Sequence, residues 1–472
     1  MPLPSRAARA YKDRMTGLAL APAALVVPPA PEPAPPGTGP LDLARRMRTN
    51  ALTAWGRRAY EDEIVSRPFF GRTSFLLNAP DAIRRVLVDD TDAYDRTKAS
   101  IRLLRPMLGQ GLLLAEGKEW RHQRRTLAPA FTPKAIAPLV PHMLAPTRAV
   151  AAELRTRLRE PVDLFSVVQR LALEIAGRTM FSLEMDEHSE RLRRFVTSYG
   201  QGLGRPRLLD FLLPLSIPSP HDVARRLFRR RWTAFLDGVI AERARRGSAS
   251  ADAPRDLFDL MLAARDPETG QAFSPEQLRD QVSTMILAGH ETTAVALFWS
   301  LYLLALAPEA QERVAEEAQA AGDQDRPALD KLAYTRAVLD EAMRLYPPAY
   351  MIARAARAPH ELSGMPVKAG DLLLVSPWIL QRHERRWRDP GAFDPTRFLP
   401  GAPPVDRYAY LPFGIGPRVC IGAHFALTEA TVVLATLARE FRFALADDLP
   451  VMPVAVITTR PDRHAPFRLT LR

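Results

Sequence analysis

A mainly α-helical chain is expected from three features of the 472 residues. One helix signal runs from Ser274 to Leu306, a second helical run spans Ala423 to Glu440, and the short segment Phe75-Leu76-Leu77 before Asn78-Ala79-Pro80 reads as a strand. A hydrophobic content of 47% is ample for a large core. No internal boundary interrupts the chain, since the most linker-like interior stretch, Gly247 to Pro254, is short enough to be a loop between helices. Residues 28–40, PPAPEPAPPGTGP, are expected to be extended or disordered. The expected organisation is therefore a proline-rich, disordered tail over residues 1–40 and one domain over 41–472.

Taken in order, the first helix of interest carries Trp120 and Arg124, four apart and so on one face. The longest begins at Ser274-Pro275-Glu276-Gln277, with Ser at the N-cap, Pro at the first helical position and Gln at the third. Pro308 ends it after about 32 residues, a length of roughly 48 Å. Its middle, Ala288-Gly289-His290-Glu291-Thr292-Thr293, is polar in an apolar setting, which is costly without a purpose. Gly289 would let a ligand lie against the backbone, and Thr292 can turn its hydroxyl back to the Ala288 carbonyl. A third helix holds Glu341 and Arg344 on one face and stops at Pro347-Pro348.

Charge and composition narrow the function classes. The formal net charge is +12, with arginine far outnumbering lysine. The basic residues are scattered over helices without aromatic interleaving or a nucleic-acid module, which argues against nucleic-acid binding. The arginines are explained either by composition, as in a GC-rich genome, or by a basic docking surface for an acidic electron-transfer protein. The apolar run 17–27 is too short to span a bilayer and is broken by Pro22, while Ala294 to Ala307 is better placed as a buried helix. A cytoplasmic protein without a membrane span is expected, and one cysteine suits a reducing compartment.

That cysteine, Cys420, is the most specific signal. It sits in Phe413-Gly414-Ile415-Gly416-Pro417-Arg418-Val419-Cys420-Ile421-Gly422, a loop with three glycines and a nearby arginine, just before a helix. Alone it can form no internal disulfide. A helix N-terminus and Arg418 both favour a thiolate, a soft anionic ligand suited to iron. Other leads fail. Gly414-Ile415-Gly416 has Val419 where a dinucleotide fingerprint needs its third glycine, the Gly111 to Lys118 stretch does not match a phosphate loop, and no His-Glu-x-x-His helix exists.

The Cys420 segment resembles the signature of the haem-thiolate monooxygenases, the cytochromes P-450, at every fixed position of Phe-Gly-x-Gly-x-Arg-x-Cys-x-Gly. The resemblance extends from about Arg48 to Arg472. It implies a mainly α fold with a small β-rich lobe, the triangular-prism cytochrome P-450 fold. It further implies haem b with Cys420 as axial thiolate and metal ligand, and cofactor contacts from Phe413, Trp120, Arg124, Arg354 and Arg418, the last four at the propionates. Glu291 and Thr292 match the oxygen-activation motif, with Thr292 hydrogen-bonding dioxygen and Glu291 relaying protons. Glu341, Arg344 and Arg397 would form a buried charged cluster bracing the Cys420 loop.

The implied reaction is hydroxylation of a lipophilic molecule, a fatty acid, terpenoid or steroid, with O2. Electrons would come from an external donor such as a ferredoxin with its reductase, since the chain carries no flavin, NAD or iron–sulfur module. Leu103, Leu104, Phe211, Leu212, Tyr350, Met351 and Ile352 are the expected pocket contacts, with Leu287, Ala288, Val456 and Ile457 nearby. A haem-dependent peroxygenase or isomerase, and a non-catalytic haem ligand-binding protein, are the alternatives. The Glu291–Thr292 pair counts against both.

Overall fold

The computed structural model describes residues 25–69, 71–182, 186–245, 255–322 and 329–472; the Gly247–Pro254 loop and most of the apolar run 17–27 lie outside them. Helices dominate, and one hydrophobic core extends from Leu43 to Leu469. The long helix runs Pro275–Leu306, 32 residues, with both halves of its capping box made: the Ser274 hydroxyl accepts from the Gln277 amide and the Gln277 side chain accepts from the Ser274 amide. It packs along its length against helix Leu164–Phe181, and also against helices Ala333–Leu345 and Ala423–Glu440. Its apolar run is buried as expected, with Leu297, Phe298, Trp299 and Leu301 fully enclosed. Among the described residues no single helix is long and apolar enough to cross a membrane.

The β-rich part is small. A five-stranded sheet lies in the order Ile64–Phe69, Arg72–Leu77, Leu372–Val375, Ile352–Ala356, Tyr94–Asp95. Its first two strands form an antiparallel hairpin, and Arg72–Leu77 pairs in parallel with Leu372–Val375. The strand expected at Phe75-Leu76-Leu77 is thus the second of five, and its residues are buried. A separate hairpin, Pro453–Ala455 with Thr459–Pro461, is tied to the long helix by the Trp299 indole N–H donating to the Thr459 carbonyl at 2.7 Å. Thr459 also donates its hydroxyl to the Pro347 carbonyl, so the hairpin is pinned where the Glu341 helix ends.

The N-terminal expectation needs correcting for the last part of the tail. Residues from Val26 onward are extended but docked: the Phe393 amide donates to the Val26 carbonyl, the Tyr346 hydroxyl to the Pro29 carbonyl, and the Ala34 amide to the Trp55 carbonyl. Proline removes backbone donors yet leaves every carbonyl available, so a proline-rich segment can dock as an acceptor without joining a sheet.

The charged cluster is formed, with Glu341 and Arg344 fully enclosed and Arg397 at its partly exposed edge. Arg344 makes a bidentate pair with Glu341 at 2.6 and 2.7 Å and donates to the carbonyls of Gln381, Pro390 and Ala392. Arg397 stands further off, 3.6 Å from Glu341 and 3.9 Å from Asp394, and donates to the Asp389 carbonyl. One buried guanidinium therefore gathers three separate backbone carbonyls of the segment leading to the Cys420 loop. Glu341→Ala leaves Arg344 buried and unpaired, so an unfolding loss of about 3–5 kcal/mol is expected in denaturant titrations. Arg397→Ala should cost clearly less.

Candidate functional site

The Cys420 loop is closed by the Cys420 amide donating to the Phe413 carbonyl at 2.9 Å. Gly414 and Gly416 take φ values of +72° and +77°, which side chains resist. Gly416 has a second constraint, because a Cβ there would lie 2.0 Å from the Leu87 carbonyl oxygen. The loop then turns into helix Ala423–Glu440, matching the boundaries read from sequence. Cys420 is exposed, but to an interior cavity of about 740 Å³ and not to the outer surface. Burial pushes its thiol pKa up, against the pull of the Gly422 backbone N–H and the Arg124 charge. Desolvation sets this direction for the thiol by itself, without its iron. A cation above the sulfur reverses that balance.

Thr292 and Glu291 line the same cavity from the long helix. The Thr292 hydroxyl donates to the Ala288 carbonyl at 2.6 Å, the back-bond foreseen from sequence. Beside it Gly289 faces open space. Glu291 is buried and committed: both carboxylate oxygens accept from Arg460, and Oε1 also accepts from the Thr458 hydroxyl at 2.7 Å. Burial raises the Glu291 pKa, but the Arg460 charge and hydrogen bonds, His290 and Thr458 outweigh it and hold the carboxyl below its ordinary value. Arg460 and Thr458 were not legible as partners, since they stand in a hairpin far along the chain with no motif around them.

Cationic groups converge at one edge of the cavity. Arg418 lies 4.4 Å over the Trp120 ring and donates to the Ala115 carbonyl. Arg354 comes from strand Ile352–Ala356. Arg96, unmarked in the sequence, joins them: its Nε stands 3.3 Å from Glu116 without hydrogen-bond geometry and is otherwise unpartnered. Burial lowers the pKa of Arg96 to about 9 and of Arg354 to about 10, and Arg418 adds to both shifts. Arg124 lines the cavity with no hydrogen bond or ion pair among the described residues, and burial lowers its pKa. Several desolvated guanidiniums around one carboxylate, Glu116, leave positive charge uncompensated. Two propionates together with a sulfur ligand below them fit this donor set, so the residues present suit haem b.

The sequence-derived pocket contacts come together except one. Leu103, Leu104, Phe211, Tyr350, Met351 and Ile352 line the cavity with Leu287, Ala288, Val456 and Ile457. Leu212 faces outward and is 47% exposed, because helix Leu208–Leu212 presents Phe211, packed edge-on against Phe69, in its place.

Comparison with known proteins follows the same line. Residues 28–463 match the family model for cytochrome P-450. A cyclooctat-9-en-7-ol 5-monooxygenase of Streptomyces melanosporofaciens is 33% identical over 88% of this chain and 92% of its own length. A pentalenene oxygenase of Streptomyces avermitilis is 33% identical over 83% and 87%, and a cytokinin hydroxylase of Arabidopsis thaliana 30% over 82% and 77%. The crystal structure of the cytochrome P450DA haem domain superposes with a TM-score of 0.79 at 26% identity, covering 95% of this chain and 98% of that one. The chain belongs to the cytochrome P-450 family of haem-thiolate monooxygenases. Its cofactor is haem b, and its only cysteine, Cys420, is the axial ligand.

Gly416→Ala is expected to displace the loop, combining a positive φ worth about 1–3 kcal/mol of strain with the Leu87 clash. The ratio of haem to protein absorbance in the purified variant should fall at similar protein yield. An unchanged ratio would show that the loop tolerates the shift.

Proposed function

We propose that the protein hydroxylates a lipophilic small molecule with dioxygen, taking electrons from separate proteins such as a ferredoxin and its reductase, in the cytoplasm. One oxygen atom enters a substrate C–H bond as hydroxyl, and the other leaves as water after two electrons and two protons are supplied. The observation that carries this reading is a single cavity, lined mostly by apolar side chains, that holds both Cys420 and the Glu291–Thr292 pair. An apolar lining with few polar groups selects a lipophilic ligand. The relatives named for cyclooctat-9-en-7-ol and pentalenene support the same class of substrate.

Haem held by Cys420 supplies the redox chemistry when bound, the thiolate donating electron density that favours O–O cleavage. Phe413 and the loop backbone would fix the sulfur, while Arg96, Arg124, Arg354 and Arg418 with Trp120 would hold the propionates. Thr292 spends its proton on the Ala288 carbonyl. Its oxygen keeps lone pairs for the cavity and so can hold a water or a protonated oxygen in place. Glu291 would pass protons inward from the Arg460 side, where the Arg460 side chain is 29% exposed.

Thr292→Ala should leave reductant consumption running while product formation falls, read as the ratio of product to reductant oxidised. Unchanged coupling would remove the positioning role and favour the peroxygenase alternative. Arg460→Gln takes away the main force holding the Glu291 pKa down, so burial raises it. If activity needs ionised Glu291, the acid limb of the kcat–pH profile moves to higher pH. A superimposable profile would place the relay elsewhere.

A further inference from the structure

The hairpin that carries Arg460 is also a wall of the cavity. Its strands pair Pro453 with Pro461, Val454 with Arg460 and Ala455 with Thr459, leaving Val456-Ile457-Thr458 as the turn. The turn residues and Arg460 all line the cavity. One short segment therefore meets whatever fills the cavity, through Val456 and Ile457, and grips the Glu291 carboxylate, through Thr458 and Arg460.

Both strands of this hairpin are anchored. The Asn50 side chain donates to the Pro453 carbonyl at 2.9 Å and accepts from the Ala455 amide at 3.1 Å. On the other strand the Thr459 amide and hydroxyl donate to the Pro348 and Pro347 carbonyls, and the Thr459 carbonyl takes the Trp299 indole N–H. The turn between them is held lightly. The Tyr350 hydroxyl donates to the Val456 carbonyl at 3.1 Å. Among the described residues that is the only hydrogen bond to the turn's backbone from outside the hairpin. Ile457 at the tip is 42% exposed, so packing does not fix it either. A turn with rigid ends and a single tether is the part of this wall that opens at least cost. Thr458 moves with it, whereas Arg460 adjoins the anchored Thr459.

We propose that a substrate filling the cavity presses on Val456 and Ile457 and draws the Thr458 hydroxyl off Glu291, so that the carboxylate is released to take a proton when the cavity is occupied. Tyr350 is the positioning residue, its hydroxyl setting the resting place of the turn. This deepens the monooxygenase reading above and rests on it. At rest Glu291 is saturated: Oε1 accepts from Arg460 and Thr458, and Oε2 from Arg460. The charged and titratable groups acting on it are Arg460 and, on its own helix, His290, whose Nε2–H donates to the Gln169 carbonyl of helix Leu164–Phe181. Neither belongs to the turn. A carboxylate that loses one charge-assisted hydrogen bond holds a proton more readily. Proton delivery is thereby withheld until there is a C–H bond to oxidise.

The test follows the protonation of Glu291 in the holoenzyme by its infrared carboxyl band, identified by its absence in Glu291→Gln. Two iron ligands are compared, imidazole and 1-dodecylimidazole, which differ only in the chain that fills the apolar cavity. The chain should raise the protonation constant of Glu291 about tenfold, the worth of one hydrogen bond to a charged group. Thr458→Val should show the raised constant with imidazole and no further rise with the chain. Tyr350→Phe keeps the ring and loses the tether, so its imidazole value should move toward that of the chain. Its affinity for 1-dodecylimidazole should stay within about twofold of wild type, since the apolar contact area is kept. Equal constants for the two ligands in the wild type would overturn the proposal, as would a chain-dependent rise that survives in Thr458→Val. A Tyr350→Phe effect confined to affinity, or none, would remove Tyr350 from the role. Failure of either ligand to shift the haem spectrum, or loss of the thiolate signature under carbon monoxide, would count against the monooxygenase reading. An intact signature confines a failure to the hairpin.

Discussion

Presenting one sulfur atom at the floor of an apolar cavity is the constraint from which the rest of the site follows. The protein alone opposes an ionised thiol at Cys420, since burial raises its pKa. The loop answers with backbone geometry. Gly416 threads past the Leu87 carbonyl where no side chain fits, and the Phe413 carbonyl and Gly422 N–H bracket the cysteine. The Glu341–Arg344 pair fixes three carbonyls of the segment before the loop, and the Gln381 side chain accepts from the Leu411 amide just upstream of Phe413.

Charge placement in the cavity has the same logic at both ends. Guanidiniums are desolvated near Trp120, where haem propionates would answer them, and again at Arg67, which meets the Ala54 carbonyl and the Trp55 ring but no acidic side chain among the described residues. The acid on the long helix is treated differently. Glu291 has its counter-ion in Arg460, from a hairpin that Trp299 clamps to the same helix. Any proton passing through Glu291 must therefore be exchanged within an ion pair, which links proton delivery to the position of that hairpin.

What could be read from sequence was what is encoded locally. The capping box at Ser274, the back-bond of Thr292, the helix after Cys420 and the glycine spacing of the loop each depend on residues a few positions apart, and each forms as expected. Arg96, Arg460 and Arg67 were missed because each works through partners brought together by the fold; Glu291 and Arg460 are 169 residues apart. In a chain so rich in arginine, none of the three stands out. The thiol is a different case. The charge acting on the thiol is that of Arg124 and not of Arg418, which pairs with Glu116, and the depth of the cavity, a tertiary property, pushes the thiol pKa up.

The central claim is that Cys420, and no other side chain, supplies the iron ligand of this monooxygenase. The most direct measurement is the absorption spectrum of the reduced protein under carbon monoxide, for the wild type and for Cys420→Ser. A strongly red-shifted Soret band in the wild type that disappears in the variant is the expected result. A wild type that binds no haem, or a variant that keeps the shifted band, would contradict it.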